Sequence, residues 1–344
     1  MPTDDRALDL QANGCRVTCH VGPSHDLYHL SKVLSGLGEL AAAGSVKLRL
    51  EPIRGAAESS PQCASLYASI EGISAVFDVY DASNHFEIDL LEHCNIYFKR
   101  SFFPTDLQLL PAELRAKIVP FGLNYACRSA TAEPLLLASG INTVMSRYQE
   151  TRTISEFEQS PDAPVLQSIV FQTRAWAPDS TGDNVEEVNE SRAGIIRALR
   201  KNFPRKFAGG FVFSPYAQQR YPDLISTYPS EESAYCGLCK NQLIGVSTRG
   251  LHRSVPFKIP EYMATSLAIV SEPLRNELPV PFISGRDFLE FHTSEECVEQ
   301  CERILSRHSL AEALREASWR YYESEVRPAM HIANLLKRSL GHVT

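Results

Sequence analysis

The chain has 344 residues, 44% hydrophobic, 9% aromatic and 22% charged, which excludes a disordered chain or a fibre. At roughly 100 to 200 residues per domain, that length predicts two domains. With 34 Lys and Arg against 41 Asp and Glu, the formal charge of -7 argues against a broad grip on nucleic acid, because binding phosphates needs a surplus of cations on the docking face. No apolar run approaches the roughly 18 to 20 residues of a bilayer span, and residues 1–14 lack the basic start and apolar core of an export signal. The expected location is the cytoplasm, with contact at the inner membrane surface open only through a surface patch. The 9 cysteines are odd in number and are read as reduced and mostly buried.

In chain order, CRVTCHV at 15–21 predicts a strand, followed by a Gly22-Pro23-Ser24 turn and a helix with Leu27, Leu30, Val33, Leu34, Leu37 and Leu40 at helical spacing up to Gly44. Strands follow at 46–50, 73–79, 94–98 and 117–120, the last running into the turn Phe121 to Asn124. Strand, helix, strand alternation is the pattern of a parallel sheet with covering helices. After Tyr125 the pattern weakens for about 40 residues, long for a connection within one domain, so a boundary is placed between 125 and 165. A second series begins with a strand at 165–171 and a polar loop at 179–189 that holds a helix start. A helix at 191–202 follows, with Ile195, Ile196 and Leu199 on one face and basic residues on the other. Further strands are expected at 207–213, 243–247 and 268–271, with Gly209-Gly210 read as a turn at a strand, then helices at 297–305 and 310–340 with Pro328 as a kink. The expected division is 1–150, 151–320 and a final helix in 321–344 that crosses back to the first domain.

The segment IGVSTRGLHRSVPFKIPEYMATSLAIVS, 244–271, carries most of the chemistry. It reads as strand, glycine turn, helix and strand, with Ser254 as N-cap and Pro256 in the first helical turn. Free amides at that helix start, with Lys258 adding a positive charge, make an anion site. Glu261, one turn further, can accept from ribose hydroxyls, so the set suits a nucleotide sugar. A Lys/Glu pair at this spacing also occurs on ordinary solvated helix faces.

These residues resemble the nucleotide-sugar segment of GT-B glycosyltransferases, especially those similar to family four, in Pro256, Lys258, Glu261, Tyr262, Met263 and Ala264. The resemblance implies an α/β fold of two Rossmann-like doubly wound domains with the active site in the cleft between them. It also implies that Glu261 is the ribose-binding second glutamate of a paired motif, whose first glutamate falls at the position of Arg253. KIVPFGLNY at 117–125 is similar to the segment that closes the family's first domain. VFQTRAW at 170–176 matches the first strand of the second domain, with Thr173 in place of a glycine and Arg174 as the implied diphosphate contact. Trp319 to Leu336 looks like the family's last helix. The resemblance is good over 165–340 and much weaker before 115.

In the N-terminal half, Gly22 permits close backbone approach, and His25 or Asp26 is placed to orient or deprotonate an acceptor hydroxyl. The alternatives are that Ser24 or Asp26 caps the next helix and that the histidines pack. Lys99 and Arg100, after an apolar strand, either bind an anionic acceptor or phosphate or face water. His252 and Arg253 are donor contacts or surface residues. Cys236 and Cys239 form one C-x-x-C without a second pair, and no Gly-x-Gly-x-x-Gly or Gly-Lys-Ser/Thr phosphate loop occurs, so metal and dinucleotide readings are disfavoured.

The expected function is therefore transfer of a sugar from a nucleotide-sugar donor to a hydroxyl of a glycan or lipid-linked acceptor, without metal or other cofactor and with retention implied by the resemblance. A GT-B-fold epimerase or phosphorylase and a non-catalytic binding subunit are the alternatives.

Overall fold

Alternate residues of CRVTCHV turn inward, so the segment pleats into β1 (Cys15–Val21), and Asp26 then caps α1 (Leu27–Ala42), whose leucines and Val33 form one apolar stripe. The structure, a computed structural model, describes residues 14–53, 63–138, 145–178 and 184–341. The chain divides into a first unit of Met1–Ile154, Asn276–Val280 and Glu323–Thr344 and a second of Ser155–Arg275 and Pro281–Tyr322.

The first unit continues with β2 (Val46–Pro52), β3 (Ser65–Ile70), β4 (Ile73–Asp78), α2 (Ile88–His93), β5 (Ile96–Lys99), α3 (Pro104–Leu107), α4 (Ala112–Arg115), β6 (Ile118–Pro120), β7 (Cys127–Arg128), α5 (Glu133–Ala138), α6 (Met145–Gln149) and β8 (Arg152–Thr153). Its main sheet has the order β2-β1-β3-β4-β5-β6. Every neighbouring pair is parallel except those of β3, which runs antiparallel to β1 and β4. The small residues of SLYASI hide β3 from periodicity. A two-residue turn joins β3 to β4, with Glu71 at φ 50° and Gly72 at φ 88°, the left-handed pair that a tight hairpin requires. Phe77 and Phe98 stack 5.4 Å apart in the cluster on one face of the sheet, while Val76 and Tyr97 join a separate cluster on the other. Both faces are therefore covered, as a doubly wound sheet demands.

The division between the units falls at Ile154–Ser155, inside the expected 125–165, and the chain from Tyr125 up to it belongs to the first unit. The Ser129 amide donates to Ser35 Oγ at 3.1 Å and to the Tyr148 hydroxyl at 3.0 Å, and buried Tyr148 packs in the same core as α1. Short elements docked through polar bonds carry little hydrophobic period, so the first unit runs on to Ile154.

The second unit contains α7 (Ile154–Phe157, beginning at the boundary), β9 (Leu166–Thr173), α8 (Val185–Asn202), β10 (Phe207–Phe211), α9 (Pro215–Arg220), α10 (Glu232–Lys240), β11 (Gln242–Ser247), α11 (Lys258–Ala264), β12 (Ala268–Ser271), β13 (Leu289–Glu290), α12 (Ser294–Ser306) and α13 (His308–Tyr321). Its sheet is parallel throughout, in the order β10-β9-β11-β12-β13. β11 and β12 are buried along their whole length, which is why QLIGVS and AIVS show no polar alternation. Strand order reverses between β9 and β11, and ligands of such sheets lie outside the carboxyl ends at that switch point.

Two local expectations change. α8 starts at Val185 rather than near Ser191, because the Asn184 side chain accepts from the Glu187 amide; of the polar stretch at 179–189, residues 179–183 lie outside the described residues. Gly209 and Gly210 lie inside β10 rather than at a turn, and a Cβ on Gly209 would sit 2.1 Å from the Phe171 carbonyl oxygen.

Past α13 the chain makes a π-turn over Tyr322–Val326 and enters α14 (Pro328–Gly341), which belongs to the first unit and packs there against α1. No helix among the described residues is long and apolar enough to cross a membrane.

Candidate functional site

At the switch point of the second unit, β9 ends beside β11. Just past β9, Arg174 is exposed, its guanidinium 6.0 Å from the Trp176 ring centroid. Arg192, on α8, ties the two strand ends together. Its guanidinium donates to Thr248 Oγ1 at 3.1 Å and to the carbonyls of Arg174 at 2.8 Å and Arg249 at 2.9 Å. Burial lowers its pKa to about 10, which still leaves it charged at neutral pH. Arg192 thus departs from the expectation that the basic residues of α8 face away from the core. Its spacing to Ile195, Ile196 and Leu199 is the sequence signal that would have found it.

Between β11 and α11 the chain makes a turn over Leu251–Arg253, in which His252 has left-handed backbone, φ 55° and ψ 21°, uncommon outside glycine. Of Arg253 only the backbone is described. Ser254 does not cap α11. Its Oγ donates to the Leu251 carbonyl at 2.9 Å, and the Gly250 amide donates to the Ser254 carbonyl at 3.0 Å. That closed turn uses Ser254 up, and α11 opens at Lys258 with no side-chain cap. With 7 residues, α11 is a short source of free amides.

Gly245 sets how closely α11 approaches the sheet, since a Cβ there would fall 2.5 Å from the Tyr262 ring. Tyr262 donates to the Val246 carbonyl at 3.3 Å and lies 3.0 Å, hydroxyl to hydroxyl, from Tyr235. Lys258 Nζ stands 4.7 Å from the Tyr235 ring centroid and 3.4 Å from its hydroxyl. Burial lowers the Lys258 pKa, Arg192 and Arg174 push the same way, and Glu261 opposes them. Burial raises Glu261 to about 7 against the pull of Lys258. Arg174, Arg192 and Lys258 therefore form a positive focus beside a carboxyl group poised between charged and neutral at physiological pH.

Beside this loop lies a cavity of about 440 Å³ at the carboxyl ends of β11, β12 and β13, lined by Thr248, Arg249, Ser254, Pro256, Glu272 and His292 among others. Glu272, the first residue after β12, accepts from the Arg249 amide at 2.7 Å and from Ser191 Oγ at 3.1 Å. Glu272 is not among the site residues expected from the sequence. A charged residue directly following the buried AIVS run is the signal for it.

The candidates of the first unit are committed elsewhere. A Cβ on Gly22 would fall 3.0 Å from Ile53 Cβ, and its amide donates to His25 Nδ1 at 3.0 Å. Burial lowers the His25 pKa, against hydrogen bonds to backbone groups of Gly22 and Ser65. The His25 Nδ1 lies between the amide and the carbonyl of Gly22, at 3.0 and 3.3 Å, so the ring is held by the turn that precedes α1. Asp26 is the N-cap of α1, accepting from the amides of Tyr28 at 3.1 Å and His29 at 3.3 Å and pairing with His29 Nδ1 at 2.7 Å. Burial works against its ionisation, but these bonds hold its pKa below the usual carboxylate range. Lys99 has no exposed side chain and bonds Asp78 at 2.8 Å, its partner across the β4–β5 register. Arg100 is buried against Asp81 and the Val79 carbonyl. Neither presents a cation to an acceptor, which corrects the expectation drawn from their place after an apolar strand. The C-x-x-C pair, Cys236 and Cys239, is buried on α10, where Cys236 donates to the Glu156 carbonyl at 3.0 Å.

No protein-family model matches the chain, and no curated protein does. Among solved structures it is similar to S. aureus MnaA with UDP, at 9% identity over 95% of each chain and a TM-score of 0.42. It is also similar to UDP-GlcNAc 2-epimerase from Neisseria meningitidis bound to UDP-GlcNAc, at 14% identity over 76% of this chain and 68% of that one, TM-score 0.38. A third is the C-terminal domain of a glycosyl transferase group 1 family protein from Francisella tularensis, at 12% identity over 50% of this chain and 96% of that one, TM-score 0.35. Likenesses of this size say nothing about activity, for which the residues at the switch point are the guide.

Proposed function

We propose that the chain is a GT-B-type glycosyltransferase whose second unit holds a nucleotide-sugar donor and passes its sugar to a hydroxyl of a glycan or lipid-linked acceptor. The observation that carries this reading is the grouping of Arg174, Lys258 and Glu261 where the β9–β11 order reverses, with Arg192 pinning both strand ends from below. Arg174 and Lys258 meet the diphosphate and stabilise the charge that grows on it as the sugar bond breaks, the role a metal ion plays elsewhere. Glu261, as carboxylate, accepts from the ribose hydroxyls.

Lys258→Ala and Glu261→Ala are each expected to weaken nucleoside diphosphate binding about tenfold in calorimetry while the fold is kept by circular dichroism, on the scale of one lost charged hydrogen bond. Unchanged affinity for every diphosphate tried would sink the site. A second reading, a subunit that binds nucleotide without turnover, is favoured by Arg253 standing where the resemblance places the first glutamate. Product analysis separates the two: transfer to an acceptor supports the enzyme, and binding without hydrolysis or transfer from any donor supports the subunit. Turnover of nucleotide sugar without any acceptor would point to an epimerase instead.

A further inference from the structure

Building on the nucleotide-sugar reading, we propose that Glu272 recognises the transferred sugar, accepting hydrogen bonds from two neighbouring hydroxyls of a neutral hexose seated in the cavity beside the loop after β11. An ionised carboxylate offers about four acceptor positions. In Glu272 one oxygen takes the Arg249 amide and the other takes Ser191 Oγ, one bond each. No Lys, Arg or His forms an ion pair with it among the described residues. Each oxygen therefore keeps one position unfilled, the arrangement that two hydroxyls on adjacent ring carbons satisfy together. The carboxylate is held from two sides, by the loop after β11 and by α8, and it leaves directly from the buried end of β12, so it is oriented before any ligand arrives.

The surroundings point to the same class of ligand. The cavity, about 440 Å³, falls in the range of roughly 300 to 1,000 Å³ typical of small-ligand sites. Its lining offers the Thr248 hydroxyl as a donor, its oxygen accepting from Arg192, and Pro256, Pro273 and Leu274 for the C–H face of a ring. A sugar bearing its own carboxylate or phosphate would meet the charge of Glu272. Of the lining cations, Arg249 pairs with Glu187 and His292 lies 3.4 Å from Glu290, which leaves the buried Arg192, itself bonded to Thr248 and two carbonyls, as the cation whose charge Glu272 feels.

The test uses the whole chain and calorimetry with UDP, GDP, ADP, CDP and dTDP and the glucose conjugate of each. Glu272→Gln keeps the size of the side chain and removes its charge. For the conjugate that binds the wild type, the variant is expected to lose about tenfold in affinity, with the parent diphosphate unchanged. The wild type should lose a similar factor when the sugar lacks its 2- or 3-hydroxyl, and the variant should lose little more, because the two changes remove one contact. Equal weakening of conjugate and diphosphate, or weakening of neither, overturns the role of Glu272 and leaves the nucleotide site standing. If the variant fails to fold, the deoxy sugars on the wild type decide, and undiminished affinity for both overturns the proposal. Binding of none of the ten probes overturns the nucleotide-sugar reading itself.

Discussion

At the end of β5 in the first unit, Lys99 is fully buried and bonded to Asp78 2.8 Å away, whereas past β9 in the second unit Arg174 reaches solvent beside Trp176. Asp26 repeats the first pattern, with both its oxygens bonded around the start of α1, and Glu272 repeats the second, with one bond on each oxygen and capacity left over. The two sheets carry similar charged residues at the same end of their strands. In one unit these residues hold the fold together, and in the other they remain able to meet a ligand. Position after a strand thus says where chemistry can sit, and the partners a side chain already has decide whether it does.

Substitutions that separate stability from binding are the strongest way to break this contrast. Lys99→Met would leave Asp78 buried without its cation, at a cost of about 3–5 kcal/mol in denaturant unfolding of the first unit. Arg174→Ala, by contrast, should change stability by no more than about 0.5 kcal/mol, as exposed substitutions do, while weakening diphosphate binding. A neutral Lys99→Met, or an Arg174→Ala that melts the second unit, would erase the difference between the two ends.

Smaller effects come from pH, and the two units should respond in opposite directions. Lys32, buried on α1 and donating to the Leu123 carbonyl, has its pKa lowered by burial from 10.5 to about 7. Between those values the unfolded chain binds the extra proton, so stability of the first unit rises with pH, by at most ~1.4 kcal/mol per pH unit. Lys32→Met should flatten that slope. Glu261 runs the other way: its pKa is raised from 4.5 to about 7, so between those values the folded chain holds the proton and stability of the second unit falls as pH rises. Nucleotide affinity, which needs the carboxylate, should weaken as pH drops below about 7, and Glu261→Gln should remove that dependence.

Much of the fold is legible in the residues alone. Inward alternation in CRVTCHV, the leucine stripe of α1 and the uniformly apolar runs of β11 and β12 are local consequences of period and burial, and they survive unchanged in the structure. Lys258 and Glu261 are likewise marked by their place in the first turns of a helix, whereas Arg174 is marked by the family resemblance of VFQTRAW. β3 is not legible, because its small residues show little period and its antiparallel place exists only once β1 and β4 flank it.

Partnership is the other thing that sequence order does not carry. Asp78 lies 21 positions from Lys99, Arg192 lies 56 from Thr248, and Ser191 lies 81 from Glu272. Which charged group is neutralised, which carboxylate keeps spare acceptor positions and which lysine is stripped of water depend on these distant contacts. Residue order determined the strands, the helices and the candidate cations. Only the tertiary structure decided which of them were left free to act, because a hydrogen bond is made by distance in space and not by spacing along the chain.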